Sequence, residues 1–133
     1  MKRVFADAFY YLALLNRGDA NHLRAQQFSR SFAGQLHTTD WVLTELADAF
    51  APVRTRSMVI AFIDAHRRRS DVTVIPANEF LLSRGWKLYA SRPDKDWSLT
   101  DCISFDTMTT IGITDALTGD HHFEQAGFRA LLR

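Results

Sequence analysis

Short apolar segments, several of them β-branched, alternate along this chain with longer segments of helical periodicity. Strands are expected at Arg3–Asp7, Leu36–Thr38, Val72–Ile75 (closed by Pro76) and Ile113–Leu117. The apolar spacing between them predicts helices over Ala8–Leu15, Ala20–Phe32, Asp40–Phe50, Arg56–Arg69, Ala77–Ala90 and Leu99–Ile111. The tail, Phe123–Leu132, fits neither class alone. Strands separated by helices predict an α/β fold whose short parallel sheet is covered on both faces. With 133 residues the chain fits one domain, residues 1–133. Such sheets place ligands beyond the carboxyl ends of their strands, near the point where strand order reverses. Asp7 ends the first strand and Asp120 lies three residues past Leu117, so both stand where a site of this kind forms.

Composition narrows the function classes. Hydrophobic residues make up 47% and charged residues 23%, which excludes a disordered chain. A net charge of +1 excludes a uniformly basic nucleic-acid coat. It conceals two skews: 12 of the 15 acids are Asp, and 13 of the 16 bases are Arg. Asp suits caps, turns and metal ligation, and Arg suits phosphate. The lone Cys102 permits no internal disulfide and no cysteine zinc cluster, and predicts a reducing cytoplasm. The apolar run Ala8–Leu15 is too short to span a bilayer and is followed by Asn16-Arg17-Gly18-Asp19, so neither a signal peptide nor a membrane segment is expected.

Four acids stand in unusual surroundings. Asp7 sits between Val4-Phe5-Ala6 and Ala8-Phe9-Tyr10. It reads either as a helix cap or as an acid held by a cation, because a buried charge is costly unless paired. At about 100° per residue, Asp40, Thr44 and Asp48 share one sector of their helix. Glu45 projects between Trp41 and Ala49 on the apolar side, as an inward acid or as an edge residue whose stem snorkels. Asp101 could close a capping box with Ser98, yet it aligns with Phe105 and Met108 on a helix that is apolar on most sides. Asp120 could cap a short helix starting at His121. Asp96 reads as a loop or cap residue, and Asp115 shows no clear partner.

An α/β sheet would bring Asp7, Glu45, Asp101 and Asp120 towards one edge. Clustered carboxylates without His or Cys describe a hard-cation site, for Mg2+ or Mn2+. Such a site can activate water and stabilise charge on a phosphodiester. Metal-dependent phosphodiester hydrolysis is therefore the expected chemistry. A haloacid-dehalogenase-like phosphatase would need a second Asp where Phe9 stands, and no lysine follows Lys95.

Val4-Phe5-Ala6-Asp7, Thr44-Glu45-Leu46, Trp97-Ser98-Leu99-Thr100-Asp101-Cys102 and Ala116-Leu117-Thr118-Gly119-Asp120-His121-His122-Phe123 resemble the successive motifs of the PIN domain. They are most similar to its VapC-type toxin branch, small ribonucleases that pair with an antitoxin. The resemblance runs over essentially the whole chain. It implies a three-layer α/β/α sandwich and a Mg2+- or Mn2+-dependent RNA-cleaving site. In that site Asp7, Glu45, Asp101 and Asp120 would hold the metal. It further implies that Thr118 orients the last acid, Asp120, with Asp96 as a further supporting residue, and that the chain forms a homodimer and binds a small antitoxin. Ala8 departs from the family's usual hydroxyl residue after the first Asp. A non-catalytic PIN-like module binding RNA or protein is the alternative.

The other candidates read as structural. Arg67-Arg68-Arg69 suits a helix C-terminus as well as phosphate. His121-His122 and His22 lack the spacing of a zinc motif and suit local hydrogen bonds. Trp41 and Trp97 suit packing, although both could stack on bases, and Cys102 suits a buried small hydrophobe. Arg92 is one of several arginines that could flank the site.

Overall fold

The computed structural model describes residues 2–133. The chain runs β1 (Arg3–Ala6), α1 (Ala8–Leu15), α2 (His22–Ser31), β2 (Gln35–Thr39), α3 (Asp40–Ala49) and α4 (Val53–Arg68). It continues through β3 (Val72–Ile75), α5 (Glu79–Ser91), α6 (Leu99–Ile111), β4 (Asp115–Leu117), α7 (His121–Gln125) and β5 (Arg129–Ala130). Every strand pairing is parallel, in the order β3-β2-β1-β4-β5.

That order fixes where the helices go. From β1 through β2 to β3 the chain steps outward in one direction, then returns through α5 and α6 to β4 on the other side of β1. Right-handed crossovers on a path that reverses direction put the two sets of helices on opposite faces. Accordingly α1 packs on α2 and α3, while α5 packs on α6 and α6 on α7. The result is the expected α/β/α arrangement. The reversal falls between β1 and β4, where the Asp7 N–H donates to the Leu117 carbonyl.

The central strand accounts for the core. Val4, Phe5 and Ala6 are fully buried, with Tyr11, Leu46, Met108, Leu117 and Phe123 around them. At Gly85 on α5 the side chain and Cα of Ile103 occupy the space a Cβ would take, so the two helices approach closely only because this residue is glycine.

Several boundaries differ from expectation for local reasons. α4 begins at Val53, three residues early, because Pro52 occupies its N-cap. α5 begins at Glu79 because the Asn78 side chain accepts the Leu81 N–H. β2 extends to Gln35 and Thr39 by pairing with β1 and β3. The ambiguous tail divides into α7 and β5, turning at Gly127 (φ 96°). β5 pairs with β4, and Arg129 reaches Asp115 at 3.1 Å, the partner that the sequence did not reveal.

Candidate active site

Three of the four acids cap helices, and the same caps bring them together. Asp7 is the N-cap of α1 and accepts from the Phe9 N–H at 3.4 Å. Asp101 closes the capping box of α6: it accepts from the Ser98 N–H at 3.2 Å while its own N–H donates to Ser98 Oγ at 2.9 Å. Asp120 caps α7 and accepts from the His122 N–H at 2.9 Å. An N-cap carboxylate satisfies free amides at the start of a helix. In a parallel sheet, helices start beyond the carboxyl ends of strands. Capping and convergence on the β1–β4 switch point are thus the same arrangement, not alternatives.

Thr118 links two of these caps. Its hydroxyl donates to Asp7 Oδ2 at 2.9 Å and its Oγ accepts from the Asp120 N–H at 3.1 Å. The carboxylate it orients is therefore the first acid rather than the last. Ala8, in place of a hydroxyl residue, is buried beside Asp7.

The electrostatics follow from burial and crowding. Burial, then the charges of Asp101 and Glu45, raise the Asp7 pKa to about 7 against a lowering by the Thr118 hydrogen bond. Burial raises that of Asp101 too, with Asp120 adding to it and Ser98 and His122 opposing. Glu45 is exposed on α3, the edge placement of the two that its angular position left open. Partial desolvation still raises its pKa, and the charges of Asp101, Asp120 and Asp48 add to the rise, so its carboxylate belongs to the group. Asp96 is exposed in the loop between α5 and α6 and makes no hydrogen bond to these acids among the described residues.

What surrounds the group matters as much as its members. Asp40, Asp71, Asp94, Asp106, Asp115 and Glu124 each lie within about 3 Å of an arginine, which accounts for much of the Arg excess. Asp7, Glu45, Asp101 and Asp120 have no Lys or Arg salt bridge among the described residues. Exposed acids can rely on water, but carboxylates buried as deeply as Asp7 and Asp101 need another cation. An all-oxygen donor set of this kind fits a hard divalent ion.

Sequence reasoning gave His122 only a local role. Its Nδ1 lies 3.3 Å from Asp101 Oδ2 and 3.5 Å from Asp120 Oδ1, so it belongs to the site as well. Its place two residues after Asp120, in the first turn of the helix that Asp120 caps, was the available signal. The other candidates are structural. Arg67 binds Asp40, Arg69 binds Asp71, and Arg68 is exposed. His22 bonds to the Ala13 carbonyl, Trp97 is buried with its N–H on Gln125, and burial raises the Cys102 thiol to about 11.

A parallel sheet ordered β3-β2-β1-β4-β5, with carboxylates gathered at its switch point, defines the PIN-like α/β/α class. No protein-family model matches the chain. It is 28% identical over 125 residues to the 23S rRNA-specific endonuclease VapC20 of Mycobacterium tuberculosis, covering 94% of this chain and 95% of that protein. The crystal structure of VapC20, described as a Sarcin-Ricin loop cleaving toxin, superposes with a TM-score of 0.85 over 94% of this chain and 95% of that one, at 27% identity. Two more distant structures share the fold alone. VapBC from Salmonella typhimurium bound to DNA has a TM-score of 0.69 at 13% identity, covering 98% of this chain and 97% of that one. FitAcB from Neisseria gonorrhoeae has 0.67 at 13%, covering 96% and 95%. In both sequence and fold the chain is similar to VapC20 over nearly its whole length.

Proposed function

We propose that the chain is a Mg2+- or Mn2+-dependent endoribonuclease and the toxin of a toxin–antitoxin pair, working in the cytoplasm. The observation that carries this reading is the group of four convergent carboxylates without a Lys or Arg partner, on a chain alike in sequence and fold to VapC20. A bound Mg2+ or Mn2+ would supply activation of water and stabilisation of charge on the phosphodiester oxygens.

The chain's own residues do the rest. Asp7, Asp101 and Asp120 offer oxygen ligands from three helix caps on a rigid sheet edge. Thr118 fixes the Asp7 carboxylate in place. Glu45, at the solvent side, accepts the proton that the attacking water gives up.

The surroundings suit RNA. A groove of about 550 Å3 lined by Tyr89, Arg92, Lys95, Trp97 and Ser98 reaches the start of α6, the helix that carries Asp101. Arg92 and Lys95 lie over the Trp97 ring at 5.1 and 5.9 Å and offer positive charge to phosphates, while Tyr89 is exposed for stacking. Exposed apolar side chains on α4 (Val53, Ile60) and on α5 (Phe80, Leu82, Trp86) offer faces for an antitoxin and for a second copy of the chain. No helix among the described residues is long and apolar enough to cross a membrane.

The test is to incubate the purified chain with RNA, 23S rRNA first, in Mg2+, in Mn2+ and in EDTA. Discrete cleavage in either metal and none in EDTA is expected. Cleavage that persists in EDTA, or binding without cleavage in both metals, would overturn the reading.

A further inference from the structure

We propose that His121 and His122, with Asp120 and Asp101, form a second kind of metal site: one for a divalent transition ion of the zinc class, which switches the enzyme off by taking two carboxylates from the hard cation. The switching consequence rests on the nuclease reading above; the binding does not.

The linear sequence hides this site, since adjacent histidines are not a zinc motif. The fold supplies the missing ligand by bringing Asp101, 21 residues away, onto His122. His122 Nδ1 lies 3.3 Å from Asp101 Oδ2 and 3.5 Å from Asp120 Oδ1, and His121 Nδ1 lies 3.6 Å from that same Asp120 oxygen. A tetrahedral ion with ligands at about 2.0–2.1 Å holds its donors roughly 3.3 Å apart; the His122–Asp101 edge has that length at 3.3 Å, and the His122–Asp120 and His121–Asp120 edges, at 3.5 and 3.6 Å, are slightly longer. The two imidazole rings sit side by side, their centroids 4.5 Å apart. The ligand atoms of Asp120, His121 and His122 all lie within 4.8 Å of one another.

Donor chemistry separates this site from the all-carboxylate one. Imidazole nitrogen favours zinc, copper and nickel, whereas Mg2+ prefers oxygen and keeps much of its water. The His121 side chain is 57% exposed, which provides an entry path, and that of His122, at 19%, forms the inner wall. Asp101 and Asp120 are common to both sites, so the two ions compete for them.

The experiment is Zn2+ calorimetry on the full chain in buffer containing excess Mg2+, with wild type, His121→Gln and His122→Gln compared. Zn2+ should bind the wild type, and each substitution should weaken it by about tenfold or more. In wild type, Zn2+ should also perturb the NMR resonances of both imidazoles, a readout that needs no variant. Mn2+-supported RNA cleavage should be inhibited by Zn2+ in wild type, whereas His121→Gln should keep that cleavage and escape the inhibition. Zn2+ affinity unchanged from wild type in both variants, or unmoved imidazole resonances, would overturn the proposal even if RNA is cleaved. Histidine-dependent Zn2+ binding by a chain that cleaves no RNA would instead keep the site and overturn the nuclease reading.

Discussion

The Thr118 hydroxyl donates a 2.9 Å hydrogen bond to Asp7 Oδ2 across 111 positions of sequence, tying the end of β4 to the end of β1. Thr118 Oγ also accepts from the Asp120 N–H, so one small side chain registers two of the four acids. Thr118→Val keeps the shape and removes both interactions. We expect metal affinity, measured by Mn2+ calorimetry, to fall by about 10–100-fold. Stability should fall by about 1–3 kcal/mol, because Asp7 and the Asp120 amide are left short of partners. Thr118→Ser should recover most of both.

Asp7 holds its position at the expense of stability. Its folded pKa of about 7 lies above the ordinary 3.8, mainly through burial. The folded chain therefore binds this proton more tightly than the unfolded chain does. The resulting stability is complete below about pH 4 and is lost as pH rises through 7. At pH 8 without metal, the ionised carboxylate destabilises the fold by an amount on the order of 4 kcal/mol. Asp7→Asn should consequently be more stable than wild type in urea unfolding at pH 8 in EDTA, while losing the stabilisation that Mg2+ gives. A less stable variant would mean that Asp7 is not desolvated as described.

His66 on α4 acts in the opposite sense. Its Nε2 lies 2.7 Å from the Tyr11 hydroxyl and its ring stacks on Phe62. Burial, helped by Arg69, lowers its pKa from 6.5 to about 4. The unfolded chain thus takes up the proton first. The stability His66 contributes is present above pH 6.5 and is lost as pH falls towards 4, by roughly 3 kcal/mol. Asp7 gains over the same range and masks this loss. In the Asp7→Asn background, stability should fall from pH 6.5 to pH 4, and adding His66→Gln should flatten the profile.

Gly85 gives a purely steric prediction. Alanine gains about 1 kcal/mol in helix propensity, but its Cβ would run into Ile103 on α6. Overpacking of this kind costs about 1–3 kcal/mol. Gly85→Ala should therefore lower the melting temperature, and with α6 displaced it should also weaken metal binding through Asp101.

Much of this was legible in the residues. β3 and α6 begin and end where β-branching and apolar spacing put them, because local preference and packing agree there. The carboxylates of Asp7, Asp101 and Asp120 could be picked out because apolar neighbours make an unpaired acid awkward. Each was ambiguous between cap and ligand, an ambiguity that only the strand order removes. Glu45 was harder, since its helical angle points to the apolar side while the helix's position in the fold leaves it at the solvent edge. β5 was not legible at all: two residues form a strand only because β4 offers them a partner. Nor was the arginine excess: six of the 13 arginines pair with acids, and pairs such as Arg84–Asp106 and Arg67–Asp40 join parts of the chain that lie far apart in sequence.

Cleavage by the acid variants decides whether these carboxylates form the catalytic centre. With RNA in saturating Mn2+, Asp101→Asn and Asp7→Asn, each shown to be folded, should cleave about a hundredfold or more slowly than wild type and should bind Mn2+ more weakly. Cleavage at the wild-type rate by either variant would contradict the assignment of these carboxylates as the catalytic centre.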